Sequence, residues 1–259
     1  MTWRAYQGGL SPEEDHGKFF SRFYSYPLLD CQYPWILRNI KQKPQQHAKH
    51  EIVDIGIYDL LKPPYTHSDE KLIQWEKLKT DGWKVVPDCP DLKGEFNVDG
   101  APYDNTEYSF KLLKRYYNPE DKSHLPVIQS KFQDIDSLNE YIINFKEYYN
   151  SISERKYPEK IAIGSICKIR HHTTGVRMLK VIRDEFPKSW IHAFGLNMVQ
   201  FKMGGKNYIN SFDSMSWTFP RAHGELIKTR GRGPCKNNKE RNEFFDAYIL
   251  RLEELYNLK

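Results

Sequence analysis

The sequence predicts an α/β fold: a TIM-type (β/α)8 barrel, formed as a single domain over residues 1–259. Three observations predict it. From residue 51 onward, short β-like runs alternate with amphipathic helical segments, a rhythm that favours parallel strands joined by right-handed crossovers. Successive strand-like runs also close on a polar residue: IVDIG on Asp54, VVPDCPD on Asp88, LPVIQS on Gln129, IAIGSICK on Ser165 and SFDS on Asp213. In a parallel barrel the strand C-termini share one face and carry the site. Finally, a length of 259 residues allows one barrel or two small domains, and the lack of an internal repeat, low-complexity tract or interdomain linker favours one.

Each element follows from its pattern. Residues 51–58 (EIVDIGIY) read as a strand, and residues 69–80 set Leu72, Ile73, Trp75 and Leu78 among charges, as a surface helix does. The next strand, 83–87, is stopped by Pro87 and Pro90, and residues 106–117 form an amphipathic helix. The cycle repeats with strand 126–130 and helix 137–149, then strand 161–167 and helix 174–186. Strands 190–196 and 208–213 follow, and a final helix over 239–258 covers the outside. Residues 1–50 are irregular and aromatic-rich, and two further strands there would complete the eightfold count.

Composition narrows the function classes. With 17 Tyr, 14 Phe and 6 Trp the chain has the material for a folded core. A net charge of +5 is compatible with nucleic acid but is not the footprint of a DNA-coating protein. Four separated cysteines, with no CxxC pair, indicate neither a disulfide framework nor a zinc finger. No signal peptide is evident and no apolar run approaches the roughly 20 residues of a membrane helix, so a soluble, cytoplasmic protein without a membrane partner is expected. For a viral protein that would be the host cytoplasm. The one composition shift is a basic loop, residues 228–241, whose Lys228, Arg230, Arg232 and Lys236 are candidates for phosphate contact.

Three carboxylates meeting at strand ends suit glycosyl chemistry, in which one attacks the anomeric carbon and another handles the leaving-group proton. Asp213 is the candidate nucleophile. A third carboxylate and an amide can read a base edge, since Asp accepts from ring N–H and amino donors while Gln donates to a carbonyl. A guanine-like edge offers that combination.

These residues match a family. IVDIG resembles the acid/base strand of the tRNA-guanine transglycosylases, VPDCPD their base-recognising segment, and VIQS the start of their Gln-Gly-Gly motif. IAIGSI is similar to their Gly-Gly-Leu strand, IHAFGL to their next glycine-bearing strand, and FDSMSWTFPR to their nucleophile segment, all in the family's order. Ser130 and Ser165 stand where the family has glycines, and its zinc cluster is missing, with only Cys235 and His223 in the corresponding region. Four ligands are needed for a tetrahedral zinc site, so no metal and no zinc-binding subdomain are expected. The chain looks most like the branch that inserts 7-deazaguanines into DNA.

The resemblance implies a base exchange on DNA, in preference to tRNA, that needs no redox cofactor. Asp213 would attack C1′, guanine would depart, and a 7-deazaguanine such as preQ0 would take its place. Asp54 would be the general acid/base, Asp88 would hold the N1 and N2 edge, and Gln129 with the backbone N–H of Ser165 the O6 edge. The Ile166 carbonyl would meet the 7-substituent. Two alternatives stay open: an N-glycosylase or nucleoside hydrolase in which water resolves the intermediate, and a non-catalytic nucleic-acid-binding relative. Each residue also has a structural competitor, above all Asp88, which as a neighbour of Pro87, Cys89 and Pro90 can simply cap a turn.

Overall fold

The computed structural model describes residues 18–23, 35–42, 44, 50–61, 64–91, 104–166, 171–214 and 238–256. Two strands, β1 (Lys18–Phe23) and β2 (Trp35–Asn39), do occur within the first 50 residues. They are followed by β3 (His50–Asp54), β4 (Trp83–Val85), β5 (His124–Leu125), β6 (Val127–Ile128), β7 (Lys160–Ile163), β8 (Trp190–Ala193) and β9 (Ser211–Ser214). All join one sheet in the order β5-β4-β3-β2-β1-β9-β8-β7-β6, and every neighbouring pair is parallel. Helices α1 (Asp69–Lys77), α2 (Asn105–Tyr116), α3 (Ile135–Ile152), α4 (His172–Glu185), α5 (Met198–Lys202) and α6 (Asn238–Tyr256) alternate with the later strands. The protein is an α/β fold of parallel strands alternating with helices.

The two ends of that order belong to one pass of chain. β5 pairs with β4 and β6 pairs with β7, and Pro126 lies between them. Proline has no N–H to give a ladder, but its carbonyl still accepts from Ala162 N–H at 2.8 Å. The strand expected over 126–130 therefore starts earlier, at His124, and is interrupted at its proline.

Other boundaries shift for local reasons. The strand expected to run to residue 58 ends at Asp54, because Gly56 turns the chain with φ +76° and Tyr58–Leu61 form a 3-10 turn. A second such turn, Gly205–Tyr208, delays the last strand to Ser211. The short α5 was not anticipated. A capping box starts it, with Asn197 accepting from Gln200 N–H and the Gln200 side chain accepting from Asn197 N–H. Two longer helices carry Asp caps: Asp104 accepts from Thr106 and Glu107 N–H before α2, and Asp134 from Asp136 and Ser137 N–H before α3.

The strands bury both faces, in two separate clusters. Ile36, Val53, Ile128, Ile161, Ile191 and Phe212 pack with helix residues such as Trp75, Leu113, Phe145 and Leu179. Leu37, Ile52, Val85, Leu125, Val127 and Ala162 pack together on the other face, against Trp83 and Phe194. Because strand side chains alternate, Asp54 shares the second face with Ile52, Gln129 shares it with Val127, and Asp213 lies opposite in sense to Phe212. The same period thus carries the core and the polar strand ends. Tyr117 stacks on Tyr149 at 6.5 Å between ring centroids.

Buried His124 gives the core a pH dependence. Its Nδ1 accepts Asn118 N–H at 3.1 Å, and its Nε2 lies 3.1 Å from Asp121 Oδ2. Burial pushes its pKa down to about 4, against the attraction of Asp121 and with help from Lys84 and Lys160. A histidine with a folded-state pKa below its unfolded value of 6.5 favours folding above pH 6.5 and loses that contribution as pH falls towards 4. An unscreened shift of that size would be worth about 3 kcal/mol, and with solvent screening of the partly accessible ring the expected drop over this window is on the order of 1–2 kcal/mol. In urea titrations at a series of pH values, His124→Gln should flatten that limb.

Candidate active site

β9 places Ser211 and Asp213 on one face, two residues apart. Asp213 is 1% exposed, and an ionised carboxylate is seldom so buried without partners or a task. Its Oδ1 accepts Gly195 N–H at 2.9 Å. Gly195, just past β8, has φ +65°, a conformation glycine adopts without the Cβ penalty. The same oxygen lies 3.5 Å from His192 Nε2, and His192 is 0% exposed. His192 Nδ1 in turn lies 2.8 Å from Ser211 Oγ, which accepts the Trp190 indole N–H at 2.9 Å.

Asp54 is the last residue of β3 and is buried. Its Oδ1 accepts Gly56 N–H at 2.9 Å, so the turn that ends the strand also fixes the carboxylate. A Cβ at Gly56 would meet Asn39 Nδ2 at 2.1 Å. Buried Lys71 on α1 braces the turn, with Nζ 3.3 Å from Asp59 Oδ1 and donating to the Gly56 carbonyl at 3.4 Å.

The third group is a chain of hydrogen bonds. Gln129, one residue past β6, donates its amide N–H to Asp88 Oδ2, and Ser165 O–H donates to Gln129 Oε1 at 2.6 Å. Ser165 Oγ also accepts Asp91 N–H at 3.4 Å. Asp88 sits three residues beyond β4, and its backbone carbonyl lies 2.9 Å from His67 Nε2. Burial holds the His67 pKa below the usual imidazole value, although this contact opposes the shift. A neutral His67 therefore donates from Nε2 to the Asp88 carbonyl and pins the loop. Asp88 is thus more than a turn cap: its side chain is committed to Gln129.

Ser165 has φ +53°, in the left-handed region that favours glycine. This is a position where the resemblance expects glycine, and the hydroxyl that serine adds is the one that holds Gln129. Ser165→Gly would remove backbone strain of about 1 kcal/mol and lose a hydrogen bond of similar size. The expected outcome is a denaturant midpoint close to that of the unaltered protein, with Gln129 less firmly held. Ile166 is buried, and its carbonyl accepts the Gln200 side-chain N–H at 3.4 Å.

Since all strands run parallel, Asp54, Asp88, Gln129, Ser165 and Asp213 all lie at the C-terminal end of the sheet. A cavity of about 420 Å3, lined by residues including Trp83, Lys84 and Asp121, lies at the other end. Lys228, Arg230, Arg232 and Lys236, with Cys235 and His223, fall outside the described residues. Among the described residues no three His, Cys, Asp or Glu are grouped to hold a metal ion, and no helix is long and apolar enough to cross a membrane.

The sequence reading missed His192, His67 and Lys71. For His192 a signal was available: Trp190 and His192 share one face of β8, and in register His192 faces Ser211 of the SFDS strand. No protein-family model and no curated protein matches the chain.

Proposed function

We propose that the protein is a base-exchange glycosyltransferase of the tRNA-guanine transglycosylase type, replacing guanine in DNA, in preference to tRNA, by a 7-deazaguanine. The observation that carries the reading is buried Asp213, held through Oδ1 at the same end of the sheet as Asp54 and the Asp88–Gln129–Ser165 chain. We further propose that the sheet closes into a (β/α)8 barrel. In support, β4 and β7 pair with the two halves of one pass, residues 124–128, and the second apolar cluster would then fill its interior.

In this reading an Asp213 oxygen attacks C1′ as the C1′–N9 bond breaks. The bonding pair leaves with N9, and Asp54, entering as the acid, protonates it. The incoming base then surrenders its N9 proton to Asp54 and attacks C1′, expelling the Asp213 carboxylate, and the two displacements retain configuration. A guanine edge would supply the partners that Asp88 and Gln129 now find in each other: N1–H and the 2-amino group for the carboxylate, O6 for the amide. To present C1′ the nucleotide must leave its stack, at a cost of a few kcal/mol.

The test incubates the full chain with preQ0 and duplex DNA or, separately, tRNA, followed by nucleoside mass spectrometry. A 7-deazaguanine nucleoside in DNA is expected. Labelled guanine separates exchange, which puts label into polymer, from hydrolysis, which leaves abasic sites. If neither polymer is modified, the transglycosylase reading is wrong.

A further inference from the structure

We propose that His192 and Gly195 divide the labour of the two Asp213 oxygens: Oδ1 becomes the carbonyl oxygen of the glycosyl ester, Oδ2 is the attacking atom, and His192 is the residue that positions and polarises the ester. The inference rests on the base-exchange reading for the chemistry, but not for the geometry. Gly195 N–H reaches Oδ1 at 2.9 Å, and His192 Nε2 is 3.5 Å from that same oxygen. The Gly195 hydrogen bond makes Oδ1 the poorer nucleophile, so C1′ bonds to the other oxygen; His192 Nε2, within 3.5 Å of Oδ1 but not hydrogen-bonded to it here, closes on that oxygen as the ester forms.

A hydrogen-bond relay sets the imidazole tautomer. The Trp190 indole only donates, so Ser211 Oγ accepts from it at 2.9 Å. In the proposed relay the Ser211 O–H, not its second lone pair, faces His192 Nδ1, 2.8 Å away. With Nδ1 accepting, the ring hydrogen resides on Nε2, facing Asp213. Phe194 packs edge-on against the ring at 4.9 Å and limits its rotation.

The consequence differs between the half-reactions. In the first, donors on Oδ1 slightly blunt the carboxylate. In the second, the incoming N9 bonds to C1′, the Oδ2–C1′ bond breaks, and its electron pair returns to the carboxylate, where those donors stabilise it. His192 therefore speeds breakdown of the adduct more than its formation.

Two readouts test this in the full chain. His192→Phe should lower exchange turnover about 10- to 100-fold, leave KM for the polymer nearly unchanged, and increase the fraction of protein trapped as a covalent nucleic-acid adduct. His192→Gln, which keeps a donor, should recover part of the rate. Imidazole 15N spectra should show an Nε2–H tautomer whose signal moves in Asp213→Asn and is lost to tautomer exchange in Ser211→Ala. An Nδ1–H tautomer in an active enzyme, or adduct falling in parallel with turnover, overturns the inference alone. No exchange and no adduct from the unaltered chain, with the Nε2–H tautomer present, overturns the ester role together with the base-exchange reading.

Discussion

Asp213→Asn is expected to lower base exchange by at least about 10^3-fold while leaving the protein folded. The substitution is nearly isosteric. Asn keeps an oxygen where Oδ1 now accepts Gly195 N–H, and it removes a charge from a site that is 1% exposed. Removing a buried charge relieves desolvation while weakening the pairing with His192. The opposed effects should leave stability within about 1–2 kcal/mol of the unaltered protein. An amide oxygen, however, does not form the glycosyl ester. Trapping assays and denaturation curves on the same preparation check both halves. Full exchange activity in the Asn variant would remove Asp213 from the chemistry, and a collapse of the fold would assign it to structure.

Gly164→Ala is expected to impair base recognition far more than it impairs folding. A Cβ at position 164 would lie 2.3 Å from Gln129 Nε2, 2.5 Å from its Oε1 and 2.6 Å from its Cδ. The Gly164 backbone is tied down, its N–H donating to the Ile128 carbonyl at 3.0 Å. The Gln129 amide is the far end of a flexible side chain, and it is the part that gives way. Its displacement breaks the bonds to Asp88 and Ser165 together. Overpacking of this kind costs about 1–3 kcal/mol of stability. Discrimination for the base should fall by about 100-fold, because a site with misplaced polar partners no longer rewards the matching edge. In a Gln129→Ala background the methyl group has nothing to displace, and Gly164→Ala should add little, which a double-mutant cycle measures.

Much of the site was legible in the chain because strand side chains repeat every second residue and parallel strands end together. IVDIG, VIQS and SFDS each show an apolar alternation ended by a polar group, and their Asp54, Gln129 and Asp213 lie at one end of the sheet on one face. Asp104 and Asp134 cap helices α2 and α3 through contacts two and three residues away. What failed locally did so where a turn overrode the pattern. Gly56 stopped β3 at Asp54, and Pro126 split the strand that the apolar run had suggested was continuous.

Other features have no signature within a short window. His67 reaches Asp88 across 21 residues and Ser165 reaches Gln129 across 36. His192 becomes a neighbour of Asp213 only through the β8–β9 register, in which Ala193 faces Phe212.

The sequence by itself determined the α/β alternation, the placing of polar residues at strand ends and the choice of Asp213 as the carboxylate to explain. Periodicity and capping act over a few residues and are written in the chain directly. Only the tertiary structure decided which donors each carboxylate receives, that Gly164 must be glycine to admit Gln129, and that His192 lies beside the oxygen that Gly195 holds. These depend on strand register and on contacts a few ångströms long between distant segments, and a one-residue slip would turn each side chain to the opposite face.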